Sequence, residues 1–153
     1  MVPFADLVSA RFAFLVTDFG FTRGTSADAG VEKYTRFPLE VTLIWGQGEI
    51  DVILSVAYSY SLSHAIFSPY ISRSFYLPEL ALRKNPHAFS IQHGWEVIPG
   101  PITSPERVDL ELTRRAALLR KYCTPLLGGD LTLLEEITRE RRATAPNPRL
   151  ERP

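Results

Sequence analysis

The chain has 153 residues, 45% of them hydrophobic and 22% charged, and its formal net charge is zero. That length and composition describe one globular domain able to bury a sizeable core without disulfide or metal support. A neutral chain has no global basic field to draw in nucleic acid and no acidic excess to mimic it, and the single cysteine, Cys123, excludes an intrachain disulfide.

The first predicted element is a helix from Pro3 to about Thr17, with Phe4, Leu7, Val8, Leu15 and one of Phe12 or Phe14 on its buried stripe. Asp18-Phe19-Gly20-Phe21 ends it, and Thr22–Gly30 is small and polar, as a loop should be. Its apolar run Phe12–Val16 is short and follows Asp6 and Arg11, which suits neither a secretory signal nor a membrane span. With one cysteine and no such segment, the expected location is the cytoplasm.

Val31–Arg36 reads as an earlier strand or as the start of the next one. Beyond it the apolar residues are odd-numbered, Phe37, Leu39, Val41, Leu43 and Trp45, and after Gln47-Gly48 they are even-numbered, Ile50, Val52, Leu54, Val56 and Tyr58. Side chains alternate faces along a strand, so the phase reversal predicts a two-residue turn with Trp45 opposite Ile50 and Leu43 opposite Val52. Gly46-Gln47-Gly48 is therefore a turn and not a phosphate-binding loop, and no cofactor is implied.

Ser59–Phe67 fits either an extension of the hairpin or a short helix. Prolines and aromatic residues then alternate as far as Thr103. Leu77–Lys84 predicts a helix, and Phe89–Ile98 has room for a further strand burying Ile91, with Trp95 a second candidate for burial. Ser104 caps a helix with Pro105 at its first position and Val108, Leu112, Ala116, Leu119 and Tyr122 or Cys123 at helical spacing. Pro125 is expected to stop it, Gly128-Gly129 to turn the chain, and Asp130 to cap a last helix carrying Leu131, Leu134 and Ile137. Residues 1–143 then form a single α+β domain: an antiparallel sheet built on the amphipathic hairpin, with an N-terminal helix and two C-terminal helices packed against it. Residues 144–153 read as a flexible tail.

Catalytic signatures are sparse. His64, His87 and His93 match no metal-ligand spacing and no triad, so no metal and no catalytic residue is assigned. Arg114, Arg115, Arg120 and Lys121 share a helix with Glu106, Asp109 and Glu111, which dilute any basic stripe and argue against nucleic acid. The binding candidates are Tyr70, Phe75, Tyr76, His93 and Trp95 in the proline- and aromatic-rich stretch, with Ile44 and Ile53 on the outer hairpin face.

Three short motifs carry a resemblance: Asp18-Phe19-Gly20-Phe21 after the first helix, Tyr34 before the hairpin, and Leu126-Leu127-Gly128-Gly129-Asp130 between the last helices. In this order of segments the chain loosely resembles small bacterial α+β proteins of the immunity type, found near toxins, over most of residues 4–140. The resemblance implies a non-catalytic, cytoplasmic protein-binding module, an immunity-like inhibitor of a bacterial toxin being one form of it. Two alternatives stay open: a small hydrolase or nuclease using the loop histidines, and a homo-oligomer assembled through the outer hairpin face.

Overall fold

The computed structural model describes residues 2–57, 73–93 and 95–144. Five antiparallel strands follow one another across a single sheet in chain order: β1 (Thr22–Arg23), β2 (Val31–Arg36), β3 (Leu39–Gly46), β4 (Glu49–Val56) and β5 (Ser74–Tyr76). The hairpin register is the predicted one, with Trp45 opposite Ile50, Leu43 opposite Val52 and Thr42 opposite Ile53. Gln47 and Gly48 both take positive φ, 55° and 76°, the geometry that lets a two-residue turn follow the twist of its strands. Gly48 is constrained twice, since a Cβ there would stand 2.8 Å from Cβ of Pro101.

Leu39, Val41, Leu43, Ile50, Val52, Leu54, Tyr34 and Phe75 form the inner sheet face, and all are buried. Val31–Arg36 is a strand of its own, so Phe37 is not part of the apolar face. It sits in the two-residue connection to β3, where a side chain projects past the sheet end, and is 67% exposed.

Helices cover that inner face: α1 (Phe4–Arg11), α2 (Ala13–Thr17), α3 (Leu77–Lys84), α4 (Pro105–Leu127) and α5 (Thr132–Thr144). The single N-terminal helix expected from sequence is broken at Phe12, whose backbone leaves the helical region. A continuous helix places residues 12 and 14 on nearly opposite faces, and the break lets both rings turn inward, 5.9 Å apart and buried. α3 has the bounds read from the sequence.

The described residues of Phe89–Ile98 form no strand. Residues 85–93 instead close on themselves and on Trp95 through turn bonds (Ala88 N–H to Asn85 C=O, 3.0 Å; Trp95 N–H to Ser90 C=O, 3.2 Å) around a 3-10 turn, Ile91–His93. Ile91, expected inside, is 84% exposed.

Ser104 caps α4 as expected, its Oγ accepting from Arg107 N–H at 3.2 Å. Pro125 does not stop the helix, which runs on to Leu127. Its missing N–H costs one bond to Lys121 C=O in the last turn, and the end is closed beyond it. Asp130 N–H bonds Pro125 C=O and Gly129 N–H bonds Leu126 C=O, both at 3.0 Å, with Gly129 at φ 105°.

Asp130 stands just before α5 and accepts from Thr132 N–H at 3.0 Å and from its hydroxyl at 2.6 Å. Those bonds hold its carboxyl below the ordinary carboxylate range. A depressed carboxyl stabilises the fold above its unfolded pKa, and the gain is lost as pH falls through the folded value. Asp130→Ala is therefore expected to lower the thermal midpoint at neutral pH and to matter progressively less in acid. A midpoint difference that persists unchanged in strong acid would refute the capping account.

α5 extends to Thr144, one residue beyond the expected domain boundary, and residues 145–153, the rest of the expected tail, lie outside the described residues, as do Tyr58 and Ser59–Phe67.

Candidate functional site

β5 pairs with β4 only over Ile53–Ser55, so among the described residues β4 has a free edge near the hairpin turn. Gly46 and Glu49 close the turn as a pair, so the polar groups of Ile50 and Val52 face away from β3, toward that edge. A cleft of about 700 Å³ opens there, between the strand edge, α3, α4 and the segment from Trp95 to Ile102.

That segment has no ladder of its own and is held by side chains and single backbone bonds. Ile102 N–H bonds Gly48 C=O at 2.8 Å, and the Trp45 indole N–H bonds Ile102 C=O at 2.9 Å. Arg107 donates Nη2 to Ile98 C=O at 2.7 Å and Nη1 to Pro99 C=O at 3.4 Å, while Arg114 donates to Glu96 C=O.

The walls are apolar and aromatic. Phe89 and Trp95 meet edge to face with centroids 4.8 Å apart, and the Arg114 guanidinium lies 3.9 Å over the Trp95 ring. Leu82, 43% exposed, and Val97, 75% exposed, stand at the mouth, and Ile91 lies between the two aromatic residues in sequence.

The floor is charged. Glu111, with its side chain 5% exposed, receives Arg107, Arg114 and Arg115, which stand four residues before it and three and four after it on one helix face. Arg114 Nη1 donates to Glu111 Oε1 at 3.1 Å, Arg115 Nη1 donates to Oε2, and Arg107 Nε stands 3.3 Å from Oε1. That last contact is an ion pair without hydrogen-bond alignment, and the Arg107 Nε–H is buried with no acceptor. Arg115 also donates Nε to Ile50 C=O at 3.0 Å, tying α4 to the strand edge.

Burial pushes the Glu111 carboxyl up, but the hydrogen bond from Arg115 and the charges of Arg115, Arg114 and Arg107 together outweigh it and hold the group below its ordinary value. A carboxylate held ionised, with its oxygens already engaged, is a poor proton acceptor. Three guanidiniums also make the floor hostile to a metal cation. Among the described residues no group of three or more His, Cys, Asp and Glu is placed to hold a metal ion.

The residues singled out from sequence divide among several places. Trp95 lines the cleft. Tyr76, 49% exposed, pairs with Ile53 in the sheet register, and with Ile44 these lie on the outer sheet face, where both isoleucines are half-buried. Phe75, offered as an interface residue, is fully buried on the inner face, its ring 4.4 Å under the Arg141 guanidinium. It is core because β5 turns residue 75 inward between 74 and 76. Tyr70 and His64 lie outside the described residues, His93 is described only as backbone in the 3-10 turn, and His87 is exposed in the loop after α3.

Cys123 is buried, and desolvation pushes its thiol up to about 12, which leaves it protonated and inert at neutral pH. Weighing Arg114 and Arg115 with Arg120 and Lys121 as one basic stripe hides the cluster that they and Arg107 form around Glu111. Their spacing about Glu111 was the available signal. No helix among the described residues is long and apolar enough to cross a membrane. No family model, no curated protein and no solved structure matches the chain.

Proposed function

We propose that the chain is a non-catalytic, cytoplasmic protein-binding module whose docking site is the cleft between α4 and the free edge of β4. One observation carries the reading: the apolar side chains Leu82 and Val97 are left in water in the lining of an aromatic-walled depression. Scattered exposed apolar residues need no explanation, but a pair of them at the rim of a concave aromatic site has the make-up of a binding surface. The floor contributes rigidity, because the guanidiniums that hold Glu111 also hold the Trp95–Ile102 wall in place. A partner meeting a pre-formed wall gives up less ordering entropy on binding.

The immunity-type resemblance makes a bacterial toxin the first partner to try. Among the described residues, neither the histidine-based hydrolase nor the assembly surface on the outer sheet face gains a specific observation. The test is capture of a partner by the full folded chain, followed by titration of the purified partner into isotopically labelled chain. Amide shifts are expected to concentrate in Leu82 and Phe89–Ile98. Shifts confined to Thr42, Ile44, Ile53 and Tyr76 would move the site to the outer sheet face. Self-association through that face, measured by sedimentation, would replace the reading with the oligomer.

A further inference from the structure

The cleft floor holds three guanidiniums against one carboxylate, all of them largely withdrawn from water, with side-chain exposures of 16–20% for the arginines and 5% for Glu111. The other acidic residues that line the cleft do not balance this excess. Glu49 and Asp51 alternate onto the outer sheet face, and they and Glu96 are exposed to solvent, where their fields are screened. Positive charge held in a half-buried site is stabilised by an added anion more than surface charge is.

Donor capacity is also left over. Among the described residues Arg114 Nε and Arg115 Nη2 donate to no group, and neither is a sealed-off atom, so both are open to an incoming acceptor. The apolar surfaces of Phe89, Trp95, Leu118 and Val97 line the same cleft, and the Trp95 ring lies directly against the Arg114 guanidinium. Polar floor and apolar wall are therefore presented together, in contact at Arg114 and Trp95.

We infer that the cleft selects a partner segment in which an aspartate or glutamate side chain stands beside a large apolar one. This rests on the protein-binding reading above and adds to it the chemistry of the partner. The carboxylate accepts from Arg114 and Arg115, giving the floor a second counter-charge, and the apolar neighbour fills the space against Trp95 and Phe89. Planar guanidinium donors suit a carboxylate in a way that a lone ammonium would not.

The test uses the wild-type full chain, so no variant has to fold. Random short linear peptides displayed on phage are selected on the immobilised chain. Selected peptides are synthesised with blocked ends, and their affinities measured by calorimetry at two salt concentrations. The expected result is enrichment of Asp or Glu next to Phe, Leu or Trp, with amide shifts at Phe89–Ile98. Replacing the acid by its amide should weaken binding by roughly tenfold to a hundredfold, the worth of a charged hydrogen bond. Added salt should weaken the acidic peptide and leave its amide analogue nearly unchanged.

Peptides that map to the cleft but bind equally well as acid and amide would overturn the carboxylate inference and leave the docking site standing. If 3-phenylpropionate matched the acidic peptide in affinity, the cleft would be a site for a small free acid, and the partner-segment inference would be wrong. Selection of peptides that all map away from the cleft, or of none at all, would overturn the docking site itself.

Discussion

Glu111→Gln is expected to destabilise the fold by about 3–5 kcal/mol at pH 7, the range for a buried ion pair that loses one member. The side chain is 5% exposed and faces three guanidiniums, so removing its charge leaves them facing one another and weakens the hold on the strand edge. The pH dependence has a definite sign. The carboxyl lies below its ordinary value of 4.5 in the folded chain, so its contribution is complete above that value and is lost as pH falls through the folded one. The gap in urea midpoint between wild type and Glu111→Gln should therefore narrow in acid. Glu106→Gln, an exposed first-turn carboxylate on the same helix, should cost no more than about 1 kcal/mol. Equal effects at the two sites, or a gap that widens in acid, would refute the account of the cluster.

Leu54→Ala should cost about 2–5 kcal/mol, through lost burial and the cavity left between the sheet and its helices. Leu54 is fully buried, paired with Val41 on one side and Phe75 on the other. Its chain neighbour Ser55 points to the opposite face, half-buried, with its hydroxyl 3.4 Å from that of Ser74. Ser55→Ala should lower the denaturant midpoint by much less, no more than about 1 kcal/mol. Similar small losses at both positions would mean that the register does not place Leu54 in the core.

Leu54 and Glu111 also mark the boundary of what the amino-acid order makes legible. The β3–β4 hairpin could be read because a period of two, interrupted by Gln47-Gly48, admits one register that buries both apolar sets. α3, and the start and buried stripe of α4, could be read for the same kind of reason, since a cap and a helical repeat are local signals. Pro125 misled because a proline so near a helix end removes only one bond, while the Gly128-Gly129 closure that follows it makes good the last carbonyls.

The cleft wall left no local signal at all. Trp95–Ile102 is fixed by Arg107 and Arg114 from α4, by Trp45 from β3 and by Gly48 from the hairpin turn, and such long-range bonds have no period. For the same reason a strand expected within Phe89–Ile98 gives way to a 3-10 turn, whose bonds are set by neighbours that the sequence order does not show. Only the fold shows that Ile91 is surface, Phe75 core and Trp95 part of a concave site.

The measurement that tests the central claim most directly is the affinity of a captured partner for two sets of variants of matched stability. Leu82→Ser combined with Val97→Ser alters cleft-lining side chains that are 43% and 75% exposed, so the fold should be little affected. His64→Ala, His87→Ala and His93→Ala remove the only imidazoles in the chain. The account predicts that the double serine variant loses about tenfold or more in affinity, while the histidine variants bind as wild type does. Full affinity in the double serine variant, together with loss of a measurable turnover in any histidine variant, would contradict it and put hydrolytic chemistry in its place.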